Sequence, residues 1–240
     1  MISQKFRPFE VALALMVVLL VCPLRADHVL RDSKKRVAHA KELLGRHYKK
    51  SVVKVGENVL DIRSFVREQL DKLLVAKWKR KKRSIERVIL TQSQLYSFDP
   101  LFVMAVIETE SSFNPATTGP FGEIGLMQLK PDTAKWIAKK YGIRWKGVRS
   151  LTDPLVNISI GTAYLDYLRG RFDFQSRLYL AAYNMGAANV HRALEKQIWP
   201  KDYPLKVMQK YIISYTSLSA TLHPAVSPHF RNALLVGSIH

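Results

Sequence analysis

The chain has a single cysteine, Cys22, so no disulfide can form within it. That does not assign a compartment, because a 240-residue chain that is 48% hydrophobic buries enough core to stand without covalent staples. Carboxylates are scarce: 19 Asp and Glu face 38 Lys and Arg, a formal charge of +19. Such a surface favours an acidic polymer, whether nucleic acid, anionic lipid or anionic cell wall. No His-Glu-x-x-His or paired Cys/His spacing is present for zinc, and the seven histidines are scattered. The loop holding Gly119, Gly122 and Gly125 lacks the Gly-Lys-Ser/Thr ending of a phosphate loop. There is no Gly-x-Ser-x-Gly elbow. No metal or cofactor is therefore expected. Alternating strand patterns of useful length and internal repeats are also missing, which leaves a mainly α class.

Long apolar runs are few. Val11 to Cys22 is an unbroken run of 12 residues, short of the ~20 a membrane-spanning helix needs. With Lys5 and Arg7 ahead of it, it has the layout of an export signal. Leu24-Arg25-Ala26 is a poor cleavage site, since Leu24 stands where a small residue is preferred. Two outcomes remain open: a removed signal, or an uncleaved anchor through residues 11–22. Leu20-Val21 ahead of Cys22 lacks the small residue expected before a lipidated cysteine. The positive charge is concentrated: residues 28–92 carry 19 Lys and Arg against 7 Asp and Glu.

Four regions follow: residues 1–26 as signal or anchor, 27–85 as a basic helical region, 86–222 as the main helical domain, and 223–240 as a loosely held tail. Within the second, 33–50 reads as a basic helix. Val59, Ile62, Val66, Leu70 and Leu73 form an apolar stripe that needs a partner surface, in this chain or another. Lys77-Trp78-Lys79-Arg80-Lys81-Lys82-Arg83 is either a solvated helix end, where cations suit the dipole, or a clamp on a polyanion with Trp78 as its anchor. Asp99-Pro100 starts a helix, and residues 101–107 are apolar on every side, so that helix is buried. Asn114-Pro115 stops it. Asp153-Pro154 repeats the start signal. Helices are predicted over 176–183 and 187–195, broken by Asn184 and Gly186, and over 205–218.

Glu110 ends the buried helix. Burial disfavours the charged carboxylate, so its pKa should rise, and an acid still protonated near neutral pH can donate to a leaving group. The competing reading is a helix-end carboxylate bonded to local backbone donors. Glu108, two positions earlier, points to another side and is the weaker candidate.

Four segments then occur in order: ESSFNP from Glu110, GEIGLMQLKPDTA from Gly122, DPLVNISIGTAYL from Asp153 and LAAYNMG from Leu180. Over roughly residues 86–200 the chain resembles the catalytic domain of the soluble-type lytic transglycosylases, which share a lysozyme-like helical fold with goose-type lysozyme. The resemblance implies cleavage of the β-1,4 bond between N-acetylmuramic acid and N-acetylglucosamine in peptidoglycan, with a 1,6-anhydro product. It makes Glu110 the catalytic acid and then base, with Met127, Gln128, Tyr183 and Asn184 contacting substrate. Each of the four has a structural alternative. Gln128 would tie down the Gly119–Gly125 loop, Tyr183 and Met127 would fill the core, and Asn184 would only end a helix.

Two departures stand out. Glu123 replaces a usually small residue; it is either a solvent-facing loop charge or a second carboxylate that makes hydrolysis conceivable. The family's late proline-glutamate-threonine segment is not reproduced around Tyr203-Pro204-Leu205, which leaves Tyr211 as the late site tyrosine. Three functions are carried forward: an exported transglycosylase of the cell envelope, a hydrolytic muramidase, and a non-catalytic wall or polyanion binder. Peptidoglycan is the expected partner, with envelope or membrane association through the N-terminus and basic region; nucleic acid is not expected.

Overall fold

A computed structural model of the protein describes residues 33–56 and 62–222. The signal-like segment 1–26, Val59 of the apolar stripe and the tail 223–240 lie outside the described residues. Among the described residues the structure is helical, and isolated bridges pair Thr118 with Ile124 and Ile124 with Leu129 in place of strands. No helix among them is long and apolar enough to cross a membrane.

The basic segment forms α1 over 33–44, which stops at Gly45 (φ +50°). A left-handed glycine is a common way to end a helix. A 3₁₀ turn, Gly45–Lys50, and the short α2, Val52–Val55, follow. The apolar stripe becomes α3, Ile62–Leu73, with Phe65, Val66 and Leu70 buried. Its partner is this chain, since α3 packs on α4, Lys82–Leu95. The cationic run closes one short helix and opens another. It forms the 3₁₀ helix Ala76–Lys81 and then opens α4, whose first turn holds no acidic residue. Lys79, Arg80 and Lys81 thus suit the end of the first, while Lys82 and Arg83 meet the unfavourable dipole at the start of α4. Lys82 instead pairs with Asp71 at 2.5 Å.

The central helix is α5, Pro100–Ser111, whose residues from Pro100 to Ile107 are all buried. Around it lie α6 (Pro131–Lys140), α7 (Pro154–Arg171), α8 (Ser176–Met185), α9 (Ala187–Glu195) and α10 (Asp202–Leu222). Asp99 and Asp153 each cap a helix whose first residue is a proline, as their sequences require. Helix α8 runs through Asn184, and Gly186 (φ +83°) makes the break.

One buried polar network binds α1 and α10 to the start of α5. Tyr211 and Tyr215 donate to Asp99 Oδ2 at 2.8 and 2.7 Å. Arg36 Nη1 donates to the Tyr215 hydroxyl at 3.1 Å. The Asp99 N–H donates to His39 Nδ1 at 3.0 Å, so the ring proton sits on Nε2, which faces the Tyr179 hydroxyl at 3.3 Å. Burial pushes the Asp99 carboxyl up, and Arg36 and the two tyrosines oppose it. Burial holds His39 well below its ordinary pKa, which keeps the ring neutral. Arg169 of α7 also grips Glu42 of α1, with Nε at 2.9 Å from Oε1. Ala40, Leu43, Tyr48, Val52 and Val53 belong to the same core as α5, so the basic region is built into the body of the fold.

Candidate active site

Glu110 occupies the last turn of α5. Directly after it, Ser112 (φ +49°) and Phe113 (φ +59°) both take left-handed conformations that side chains with a Cβ avoid. Phe113 is driven into the core with 0% exposure, and this turns the chain sharply away. The Ser111 hydroxyl donates to Leu126 O at 2.8 Å and joins the helix end to the Gly125–Gln128 turn.

That turn is held from the other side by Asn157 of α7. Its Oδ1 accepts from Met127 N at 2.7 Å; its Nδ2 donates to Ile124 O at 2.8 Å and Leu151 O at 3.0 Å. Gly125 (φ +84°) lies so close that a Cβ there would stand 2.5 Å from Leu151 O. The Tyr183 hydroxyl closes the arrangement by donating to Met127 O at 2.7 Å.

The carboxyl of Glu110 is half-buried, and its Oε1 accepts a hydrogen bond from the Tyr203 hydroxyl. Burial raises its pKa from an ordinary 4.5 to about 7; the Tyr203 hydrogen bond opposes the rise and the Glu123 charge adds to it. A carboxylic acid with that pKa is about half protonated at neutral pH, which suits proton donation to a leaving oxygen. The helix-end alternative, a carboxylate held by local backbone donors, is not what is seen: the partner is a tyrosine 93 residues away. Glu108 points elsewhere, as expected, and takes Lys210 Nζ at 2.6 Å.

The other expected site residues divide. Tyr183 is brought to the glutamate, whose charge helps raise the tyrosine's pKa after burial has done most of that work. Met127 reaches the site by its main chain alone: its side chain is 0% exposed and lies against Gly161 of α7, where a Cβ would stand 2.4 Å from its Sδ. Gln128 (φ +44°) spends its amide nitrogen on Thr117 O and Gly125 O, at 3.0 and 2.8 Å, and so ties the loop down. Asn184 is exposed at the end of α8, beside Tyr183. Glu123 is committed to its loop, accepting from Phe121 N at 3.0 Å with Lys130 Nζ at 3.6 Å.

The late tyrosine is a correction. Tyr211 lies in the core on Asp99, and Tyr203 meets Glu110. Asp202-Tyr203-Pro204 is itself a helix start, with proline in the first turn, and that signal could have placed Tyr203 at the beginning of α10. Asn157 was also missed. Its signal is an amide on an apolar helix face, because a buried amide must find partners.

Glu110 thus lies half-buried at the tip of an enclosed helix, bonded to Tyr203 of α10 with Tyr183 of α8 near, in a mainly α, lysozyme-like body. Residues 87–205 match the family described as Transglycosylase SLT domain. A putative soluble lytic murein transglycosylase of Haemophilus influenzae is 40% identical over 95 residues, covering 40% of this chain and 16% of the relative. A membrane-bound lytic murein transglycosylase C of the same species is 34% identical over 160 residues, covering 62% and 43%. Among solved structures, an inactive glutamate-to-glutamine mutant of the lytic transglycosylase Slt from Pseudomonas aeruginosa superposes with a TM-score of 0.52 at 26% identity, over 70% of this chain and 29% of that one. A complex of the 70-kDa soluble lytic transglycosylase with bulgecin A gives 0.50 at 26% identity, over 58% and 25%. The chain thus spans less than half the length of these relatives. Helices α1–α3 precede the matched region and pack on the same core.

Proposed function

We propose that the protein is a peptidoglycan lytic transglycosylase of the cell envelope, with Glu110 as acid and then base. The observation that carries this is the Glu110 carboxyl, pushed up to about 7 with Tyr203 on one oxygen. Because Tyr203 donates to Oε1, Oε2 is left to carry the acid proton. That proton passes to the glycosidic oxygen as the C1–O4 bond breaks, and the N-acetylglucosamine leaves with its 4-hydroxyl. The oxocarbenium-like muramyl centre is steadied by its own N-acetyl group. Glu110, now ionised and supported by the Tyr203 hydroxyl, takes the proton of the C6 hydroxyl while O6 bonds to C1. The glutamate ends protonated, the product is 1,6-anhydro, and no water is consumed. One carboxyl serves both steps, where most glycosidases need two. Met127, Gln128, Tyr183 and Asn184 shape the substrate's seat. On this reading Met127 acts through its carbonyl and Gln128 through the loop it fixes. Residues 11–22 direct export or anchor the chain, and the basic region holds it to the acidic envelope.

One observation favours a second reading. The Glu123 charge reaches Glu110, so a hydrolytic muramidase has a possible second carboxylate. Its commitment to Phe121 N and Lys130 weighs against that role. Digestion of purified sacculi with mass spectrometry of the products tests both: the proposal expects ends lacking one water relative to reducing ends. Glu110→Gln is expected to lower turnover by at least about 100-fold. A Glu110→Gln protein that solubilises sacculi at the wild-type rate defeats the proposal and leaves a non-catalytic role for this site.

A further inference from the structure

A series of aromatic side chains lies between Glu110 and the surface. Tyr203 touches the acid and Tyr183 lies beside both. Tyr164 of α7 packs on Tyr183 with ring centroids 5.3 Å apart at 40°. Tyr167 is three residues further on the same helix and hence on the same side. Trp136 of α6 meets the Tyr167 ring edge-on, with centroids 4.7 Å apart at 89°. Exposure grows outward, from 8% at Tyr183 to 44% at Trp136. The buried side of α6 is made by Ala134, Ile137 and Ala138, so Trp136 is not needed to hold that helix in place.

The outer end is cationic. Lys140 Nζ lies 5.6 Å from the centre of the Tyr167 ring, and Arg171 Nη1 donates to the Tyr167 hydroxyl at 3.1 Å. Of the acidic groups in this area, Asp166 accepts the Tyr141 hydroxyl at 3.0 Å, and Asp132 stands exposed one turn before Trp136 on α6. We propose that the Tyr164–Tyr167–Trp136 strip binds the glycan strand beyond the bond being cut, with Lys140 and Arg171 taking a carboxylate of its peptide stem. Aromatic faces carry negative charge density that attracts the polarised C–H face of a pyranose ring. A guanidinium and an ammonium beside them suit an anionic substituent. Continuity with Glu110 selects this occupant over a lipid surface or a protein. The inference rests on the proposed function and adds a determinant of substrate length and of peptide content.

The test uses the full chain. Turnover is measured on long strands and on a tetrasaccharide of the same repeat. Trp136→Ala is expected to lower the ratio of kcat/KM, long to short, by about tenfold. An unchanged ratio overturns the proposal. In the second arm, Lys140→Gln with Arg171→Gln alters exposed side chains that the fold does not need. It should abolish the preference for peptide-bearing over peptide-stripped strands at low salt, where exposed charges act most strongly. Persistence of that preference also overturns the proposal. Binding to sacculi is read in parallel with Glu110→Gln as the background, so the strip is tested even if the assignment of Glu110 as the acid fails. Should anionic lipid vesicles bind in place of sacculi and lose binding through the same substitutions, the strip is a membrane surface and not a glycan one.

Discussion

Replacing Glu110 by glutamine should stabilise the protein at neutral pH. The native carboxyl is held at about 7, against 4.5 when unhindered. A group whose pKa is raised on folding binds its proton more tightly in the native state, so native stability is highest below about pH 4.5 and falls as the pH rises from 4.5 to 7. Across that window the loss runs at about 1.4 kcal/mol per pH unit, and the total is about 3 kcal/mol. Glutamine cannot ionise, has nearly the same shape as the protonated acid, and keeps an oxygen to accept from Tyr203. The two proteins should therefore match near pH 4, diverge through pH 5–7, and differ by about 3 kcal/mol at pH 8 with the variant more stable. Chemical denaturation at a series of pH values reads this directly as a change in midpoint at constant slope. Curves that stay parallel over the whole range, or a variant less stable at pH 8, would show that the carboxyl is not desolvated and would remove the physical basis for its acid role.

Tyr203→Phe removes the one contact that pulls the Glu110 pKa down, so the acid weakens. The alkaline limb of the pH–rate profile should move up by about one pH unit, with a fall in kcat, measured as the release of soluble fragments from sacculi. Asn157→Leu strands Met127 N, Ile124 O and Leu151 O without their side-chain partner. It should cost about 3–5 kcal/mol in a denaturant titration and loosen the turn facing Glu110.

Much of the scaffold was legible in the sequence because its signals are local. Asp99-Pro100 and Asp153-Pro154 fix helix starts through their own caps, and the seven apolar residues at 101–107 mark a helix enclosed on all sides. Helix ends were harder: the cationic run at 77–83 reads as a helix end or a polyanion clamp, and the structure lays it across the end of a 3₁₀ helix and the start of α4. The catalytic candidate was legible because a carboxylate at the tip of an apolar helix is conspicuous. Its partner was not, because the Tyr203 contact spans 93 residues and depends on how α10 is laid across α5.

By itself, then, the sequence determined a mainly α body, a buried helix that ends at Glu110 and a basic leading third, all set by composition and by patterns shorter than a few turns. Only the tertiary structure decided that Tyr203 and not Tyr211 meets Glu110, that the Met127 side chain is spent on the core, and that α1 is bolted to α5 through Asp99. Those choices depend on which distant side chains share the space left by packed helices, and short-range patterns in the chain carry no record of that.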